Sequence, residues 1–237
     1  MRLFCFPYAG GSAQIFRSWS TQLPPGVEVC PIHLPGRGLR LRDAPYSRLE
    51  PLLDRISEAL IPQLERPYAL FGHSMGAMIS YELARRLRDA GVRQPLHLFL
   101  SGRRAPHLKD EEPPIHDLPA PEFLNAMYRL GGTDKAILEN DELLGLMLPM
   151  LRADFELVET YRYLPGEPLD IPITAYGGLL DEEVSREQLA EWRQHTRESF
   201  SLHMLPGNHF FLTSAQNQLL RLLSLELTGL LGKLSQG

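Results

Sequence analysis

Short apolar runs alternate with stretches in which apolar residues recur at helical spacing. The apolar runs predict strands at residues 3–6, 27–34, 68–71, 96–100, 171–176 and 200–205. The helical spacing is clearest at 48–65, and further helices are predicted at 12–23, 75–87, 185–196 and 215–231. Strands that alternate with helices are typical of a mainly parallel sheet covered by helices on both faces. We therefore expect a single α/β domain over residues 1–237.

One segment, 106–168, interrupts this alternation. It contains proline-rich turns and helical patterns at 121–130 and 141–163, but no convincing strand. The segment follows the carboxyl end of a predicted strand, where ligand crevices form in parallel sheets. We therefore predict a helical lid insertion at 106–168, with an ordinary helical layer packed on the sheet as the alternative.

Composition narrows the classes of function. The 237 residues carry a net charge of −5, which argues against a nucleic-acid surface. The eight histidines show no metal-binding spacing, so no metal is expected. Cys5 and Cys30 are the two cysteines, and free buried thiols are expected, with a disulfide between them as the alternative. The apolar run at 3–6 is too short for a signal peptide, and no stretch has the length and apolarity of a membrane span. A soluble cytoplasmic protein is expected.

The most informative stretch is Gly72-His-Ser-Met-Gly76, a Gly-x-Ser-x-Gly pattern between a predicted strand and a predicted helix. This context is the one that a nucleophile elbow requires, with the serine exposed on a sharp turn. Ser74 is therefore the candidate nucleophile.

A serine nucleophile needs a general base, and two histidines follow in suitable positions. His203 alternates within a predicted strand and is interpreted as a strand residue. His209 lies in a Pro-Gly-Asn turn directly after that strand, so it can reach over the sheet edge. We predict His209 as the base, with a surface or packing histidine as the alternative.

The acid that orients the base should follow the preceding strand. Asp181 comes after a strand end and a two-glycine turn, whereas Glu182 and Glu183 are expected to begin the next helix. Asp181 is the predicted acid, and a role as helix cap is its alternative.

Acyl transfer also needs donors for the oxyanion. The N–H of Met75, which follows the nucleophile, is one candidate. The second is expected from the glycine-rich loop after the first strand, from Ala9 or from Tyr8, with Ala9 preferred. This loop has neither Gly-x-Gly-x-x-Gly nor a phosphate-loop ending.

Several motifs occur in an order and spacing that resemble one known family. They are residues 6–12 (Phe-Pro-Tyr-Ala-Gly-Gly-Ser), Trp19, 34–37 (Leu-Pro-Gly-Arg), 71–76, 100–102, 148–154 (Leu-Pro-Met-Leu-Arg-Ala-Asp), 176–178 with Asp181, and 207–211. Together they resemble the type II thioesterases, free-standing editing hydrolases of nonribosomal peptide and polyketide assembly lines. Asn208 stands where the family often has glycine, and asparagine tolerates a left-handed backbone.

The resemblance implies an α/β-hydrolase fold with a helical lid, and a triad of Ser74, Asp181 and His209. It implies no cofactor, because the acyl substrate is carried on the phosphopantetheine arm of a partner carrier protein. Arginines at 37, 40, 103 and 104 are candidates for meeting an acidic carrier, or are solvated loop residues. A monomer without nucleic-acid or membrane partners is expected.

Other functions remain open on the same fold. One is a medium-chain acyl-carrier-protein hydrolase, and another is a carboxylesterase. A non-catalytic interaction protein is disfavoured because every catalytic role has a candidate.

Overall fold

The computed structural model describes residues 1–109, 112–130 and 141–236. Its strands are β1 (Arg2–Phe6), β2 (Glu28–Pro31), β3 (Tyr68–His73), β4 (Leu98–Ser101), β5 (Ile173–Gly178) and β6 (Phe200–Leu205). They form one sheet in the order β2-β1-β3-β4-β5-β6, and every neighbouring pair is parallel. The predicted α/β class with a mainly parallel sheet is confirmed.

The helices of the described residues are α1 (Leu49–Leu60), α2 (Met75–Asp89), α3 (Ala120–Leu130), α4 (Asp141–Thr160), α5 (Arg186–Ala190), α6 (Phe211–Ser214) and α7 (Gln216–Leu234). One core cluster includes α1 and α2, and a second includes α7. In α1 the buried apolar residues are Leu49, Leu52, Leu53, Ile56 and Leu60, which form one helical face. Because adjacent strand residues point to opposite faces, neighbours such as Leu70 and Phe71 contribute to different clusters.

Two predicted helices are different in the structure. The stretch 12–23 forms short 3-10 helices at Ala13–Phe16 and Trp19–Thr21, so the prediction of one helix there is wrong. Phe16 and Trp19 pack edge to face against each other at 4.9 Å, and Trp19 packs on Phe71 at 4.8 Å. A spacing of three residues suits 3-10 turns, whose side chains at i and i+3 align.

The second difference lies after β5. Ser185 caps α5 in a capping box with Gln188, and a 3-10 helix follows at Glu191–His195. The helix therefore begins after Ser185, and the expectation that Glu182 and Glu183 begin it is wrong, because the serine supplies the cap instead.

The two cysteines lie on neighbouring strands. Cys5 is buried in β1 and Cys30 is half-buried in β2, and both are free. The prediction of free thiols is confirmed, but the expected burial holds for Cys5 alone.

The loops that leave β1, β3, β4, β5 and β6 meet at the carboxyl edge of the sheet, because all the strands are parallel. Between β4 and β5 the chain forms α3 and α4, which share a small core of Phe123, Met127, Met150 and Leu151. The predicted lid, 106–168, includes residues 110–111 and 131–140, which lie outside the described residues. None of the described helices has the combination of length and apolar character needed to span a bilayer.

Candidate active site

The turn between β3 and α2 has an unusual backbone at Ser74. Its φ is 53° and its ψ is −113°, and it is the only non-glycine residue of the described chain with positive φ. Such a conformation costs about 1–3 kcal/mol and persists where the surroundings enforce it. The strain presents the half-buried Ser74 at the sheet edge, directly before the N-terminus of α2.

The glycines on either side of Ser74 allow the turn to close. A Cβ at Gly72 would lie 2.0 Å from the carbonyl oxygen of Gly76. A Cβ at Gly76 would lie 2.1 Å from the carbonyl oxygen of Phe6. Real Cβ contacts essentially never fall below 3.0 Å, so both positions require glycine.

Strand β4 holds the elbow from the side. The Ser74 N–H donates to the Ser101 carbonyl at 2.7 Å, and the Ser101 hydroxyl lies 2.8 Å from His73 Nδ1. Gly102 follows with φ of +59°, and a Cβ there would come within 2.8 Å of the His73 ring. The end of β4 and the glycine after it thus hold His73 and Ser74 in place.

Asp181 and His209 form a hydrogen-bonded pair. His209 Nδ1 lies 2.9 Å from Asp181 Oδ2, and the Asp181 side chain is fully buried. Asp181 Oδ1 accepts the backbone N–H groups of Glu183 at 2.9 Å and Val184 at 3.1 Å. The carboxylate therefore caps the following turn and orients the imidazole at the same time, so the two interpretations of Asp181 are compatible.

His209 reaches the elbow from the loop after β6. Its ring centroid lies 5.3 Å from that of His73, the residue before Ser74. Burial lowers the pKa of His209, but the hydrogen bond that His209 donates to Asp181 and the charges of Glu183 and Asp181 outweigh it, so the pKa is raised from its ordinary value. Burial, followed by the charge of His209, holds the pKa of His73 well below its usual range. The elbow histidine is thus neutral beside a base that protonates more readily.

Glu183 is part of the site and sequence reasoning assigned it elsewhere. Its carboxylate lies 3.9 Å from His209 Nε2, the ring nitrogen that does not face Asp181. Burial raises the pKa of Glu183, while His209 opposes this shift. The signal available in the sequence is its position two residues after Asp181, the predicted acid.

The candidate oxyanion donors lie on two different segments. In the part of the chain that the structure describes, the N–H groups of Met75 and Ala9 donate to no protein acceptor. The next amide along the loop, that of Gly10, donates to Asp154 Oδ2 at 2.7 Å. Gly11 N–H donates to the Tyr8 carbonyl at 2.9 Å, which closes the loop into a tight turn.

Arg37 is buried, so the interpretation of this arginine as a surface contact for a carrier is wrong. It is 6% exposed and forms a bidentate pair with Asp154, with both N–O distances 2.6 Å. A buried charge must be paired, and the partner here comes from helix α4. The sequence motifs containing Arg37 and Asp154 were recognised, but nothing in them indicated that they meet.

His203 is a strand residue, as interpreted from its alternation. It lies in β6 and stacks on Tyr176 with centroids 5.7 Å apart.

No grouping of three or more His, Cys, Asp or Glu suited to a metal ion occurs within residues 1–109, 112–130 and 141–236.

Comparison with known proteins gives consistent matches over nearly the whole chain. The thioesterase domain model matches residues 1–226. Linear gramicidin dehydrogenase LgrE of Brevibacillus parabrevis is 49% identical over 224 residues, which cover 93% of this chain and 85% of that protein.

Two solved structures are similar in both sequence and fold. RedJ, a thioesterase from the prodiginine pathway of Streptomyces coelicolor, is 44% identical with a TM-score of 0.88, and the match covers 95% of this chain and 85% of RedJ. YbtT, the type II thioesterase of the yersiniabactin NRPS/PKS pathway, is 30% identical with a TM-score of 0.82, covering 94% and 90%.

Proposed function

Because the chain belongs to the thioesterase domain family, we propose that it is an editing enzyme of a biosynthetic assembly line. It hydrolyses acyl groups from the phosphopantetheine arms of carrier proteins and so regenerates stalled nonribosomal peptide or polyketide synthases. The relatives RedJ and YbtT, both thioesterases of biosynthetic pathways, support this choice.

The observation that carries the proposal is the hydrogen bond between His209 and Asp181. The His209 ring also packs against His73, the residue before Ser74 in the elbow. In the proposed mechanism His209 takes the proton from Ser74 Oγ, which attacks the thioester carbonyl. The carrier thiol leaves with the proton from His209. Water activated by His209 then hydrolyses the acyl-serine, and the free carboxylic acid is released.

Negative charge develops on the carbonyl oxygen in both steps. Met75 and Ala9 N–H are the proposed donors, supported by the absence of protein acceptors for either among the described residues. The N-terminus of α2 adds a favourable field at the same place.

Segment 106–168 is proposed as the lid of a single domain. Support comes from α4, which packs on the glycine-rich loop so closely that a Cβ at Gly10 would lie 2.7 Å from Leu151 Cδ2. The acyl chain is therefore proposed to bind between this helix and the carboxyl edge of the sheet.

The partner is proposed to be an acidic carrier protein in the cytoplasm. Leu179 and Leu180, directly before Asp181, are 63% and 71% exposed. Burial raises the pKa of Glu183, and the charges of Arg104 and Arg103 oppose this shift, which places two cations close to the site. Exposed apolar side chains beside basic groups suit a negatively charged partner that delivers its arm into the site.

The loop after β1 does not match the dinucleotide site that the dehydrogenase name of LgrE would suggest. A dinucleotide site of the common type needs Gly-x-Gly-x-x-Gly between a strand and a helix. The loop after β1 reads Tyr8-Ala-Gly-Gly11 and leads into a 3-10 helix.

The test is hydrolysis of a panel of acyl groups loaded on carrier protein, followed by mass spectrometry. We expect the wild type to release free acids and Ser74→Ala to release none and to form no acyl-enzyme. Ser57→Ala, which removes a buried hydroxyl from α1, is the control serine substitution and should keep wild-type turnover. Hydrolysis by Ser74→Ala would refute the assignment.

Matched oxygen esters separate the remaining alternatives. Faster turnover of oxygen esters than of thioesters would favour a carboxylesterase. Exclusive release of medium-length fatty acids would favour a medium-chain hydrolase. A fluorophosphonate probe that fails to label the native protein would indicate a non-catalytic protein.

A further inference from the structure

A buried polar cluster, separate from the hydrogen-bonded pair of Asp181 and His209, joins three segments of the chain at Asp154. Its carboxylate lies on α4 and binds Arg37 through two bonds of 2.6 Å. The same Oδ2 accepts the N–H of Gly10 at 2.7 Å. Arg37 also donates to the carbonyl of Gly11 at 3.1 Å and to that of Pro35 at 3.3 Å.

This cluster is almost inaccessible to water. Asp154 is 2% exposed and Arg37 is 6% exposed. Two buried charges carry a desolvation cost that hydrogen bonds must offset, so the geometry of such a pair is held tightly. Each group that Asp154 and Arg37 contact is therefore restricted to a narrow range of positions.

The restricted backbone is the glycine-rich loop. Gly10 has φ of +78°, a left-handed conformation that glycine adopts without strain. The Ala9 N–H lies in the same peptide plane as the Tyr8 carbonyl, which accepts the Gly11 N–H at 2.9 Å. Asp154 holds the Gly10 amide and Arg37 holds the Gly11 carbonyl, so the bonds on both sides of this turn restrict the direction of the Ala9 amide.

We propose that Asp154, held by Arg37, is a positioning residue that keeps the Ala9 N–H aimed at the oxyanion and makes this donor depend on the seating of the lid helix. The inference rests on the proposed function. Helix α4 carries Asp154 and also contacts Gly10 through Leu151, so a displaced α4 withdraws the acceptor of the Gly10 amide. Catalytic competence is thereby linked to the position of the lid.

Two double variants isolate the bond to Gly10. Arg37→Met with Asp154→Leu removes both charges and leaves the Gly10 amide without an acceptor. Arg37→Met with Asp154→Asn removes both charges but retains a side-chain oxygen for that amide. Leucine and asparagine have similar shapes, and removing both charges together avoids leaving one of them buried and unpaired.

The expected result is a kcat loss of about 10- to 100-fold in the leucine variant on a small acyl thioester, with little change in KM, because an oxyanion donor acts in the transition state. The asparagine variant should retain most of kcat. An alkyl trifluoromethyl ketone, whose serine adduct carries the oxyanion, should lose affinity by the same factor as kcat. Equal kcat in the two double variants would overturn the proposal, whether both fall or neither does.

A separate variant tests whether a loss of stability alone lowers kcat. Thr174→Val removes a buried hydrogen bond to His97, at the start of β4 and β5 and away from the carboxyl edge, so it should lower stability without changing kcat. If a double variant does not fold, Arg37→Lys keeps the charge but loses the bidentate contact, and kcat should fall with KM unchanged. An unchanged kcat in Arg37→Lys would overturn the proposal.

Wild type and Ser74→Ala are measured beside these variants. If the wild type does not hydrolyse thioesters, the proposed function fails. If the wild type is active and Ser74→Ala is inactive while the double variants match each other, only the positioning role of Asp154 fails.

Discussion

Gly76→Ala tests how closely the elbow is packed against the first strand. The added Cβ would lie 2.1 Å from the Phe6 carbonyl oxygen, 2.6 Å from its carbonyl carbon and 2.8 Å from the Pro7 carbonyl oxygen. All three are backbone atoms, so no side-chain rotation relieves the contact. To restore a separation of 3.0 Å, the segment at Phe6 and the start of α2 must move apart by about 0.9 Å.

Gly76→Ala is expected to lower stability, whereas replacing glycine by alanine in a helix usually raises it. Replacing a helical glycine by alanine normally stabilises by about 0.5–1 kcal/mol. Forcing extra atoms into a packed site costs about 1–3 kcal/mol, so the net effect is destabilising. Phe6 and Pro7 lead directly to Ala9, whereas α2 begins with Met75. The two proposed oxyanion donors therefore separate by nearly 1 Å, for which a loss of about 100-fold in kcat is expected.

The assay combines urea unfolding with kcat on a small acyl thioester. Gly229→Ala is the matched control, because Gly229 lies within α7 and a Cβ there meets nothing within 4 Å. The control should be slightly more stable than wild type and fully active. If Gly76→Ala showed the same gain in stability and kept its kcat, the reasoning about the elbow would be wrong.

Three further outcomes follow from the charges and burial in the structure. Glu183→Gln removes a negative charge that favours protonated His209, so the pKa of His209 should fall. The acidic limb of the kcat/KM profile should then move to lower pH. Glu182 is an exposed neighbour, and Glu182→Gln should leave that limb in place. A limb that does not move, or moves to higher pH, contradicts the contact at 3.9 Å. Cys30 should react with a thiol reagent in the native protein well before Cys5, because burial raises the pKa of Cys5 well above its usual value and encloses it; equal rates would contradict the packing of β1. Reversing Arg103 and Arg104 to glutamate should raise KM for carrier-bound substrates and not for small thioesters, whereas the same change at the exposed Arg55 should affect neither; equal effects on both substrates would argue against steering by charge.

Local patterns in the chain determined most of the architecture. Apolar runs located the strands because strand residues in a parallel sheet are buried on both faces, as all six residues of β3 are. The Gly-x-Ser-x-Gly pattern indicated the elbow because the glycines that allow this turn to close lie within the same five residues as the serine. The prediction of one helix at 12–23 is wrong because a three-residue aromatic spacing fits both a short α-helix and a 3-10 turn, and contacts with Phe71 decide between them.

The positions of His209 and Asp181 as loop residues after two strands were also readable, since parallel strands deliver such loops to one edge. Their roles as base and acid stay predictions, and the structure adds the 2.9 Å bond between them.

Only the tertiary structure decided which distant charges meet. Arg37 and Asp154 are 117 residues apart, and each taken alone has the sequence setting of an exposed polar residue. The approach of Glu183 to the far side of the His209 ring likewise depends on how the loops after β5 and β6 pack. Strand periods and turn residues are set by near neighbours, whereas the pairing of buried charges depends on the relative placement of whole elements, which no local pattern contains.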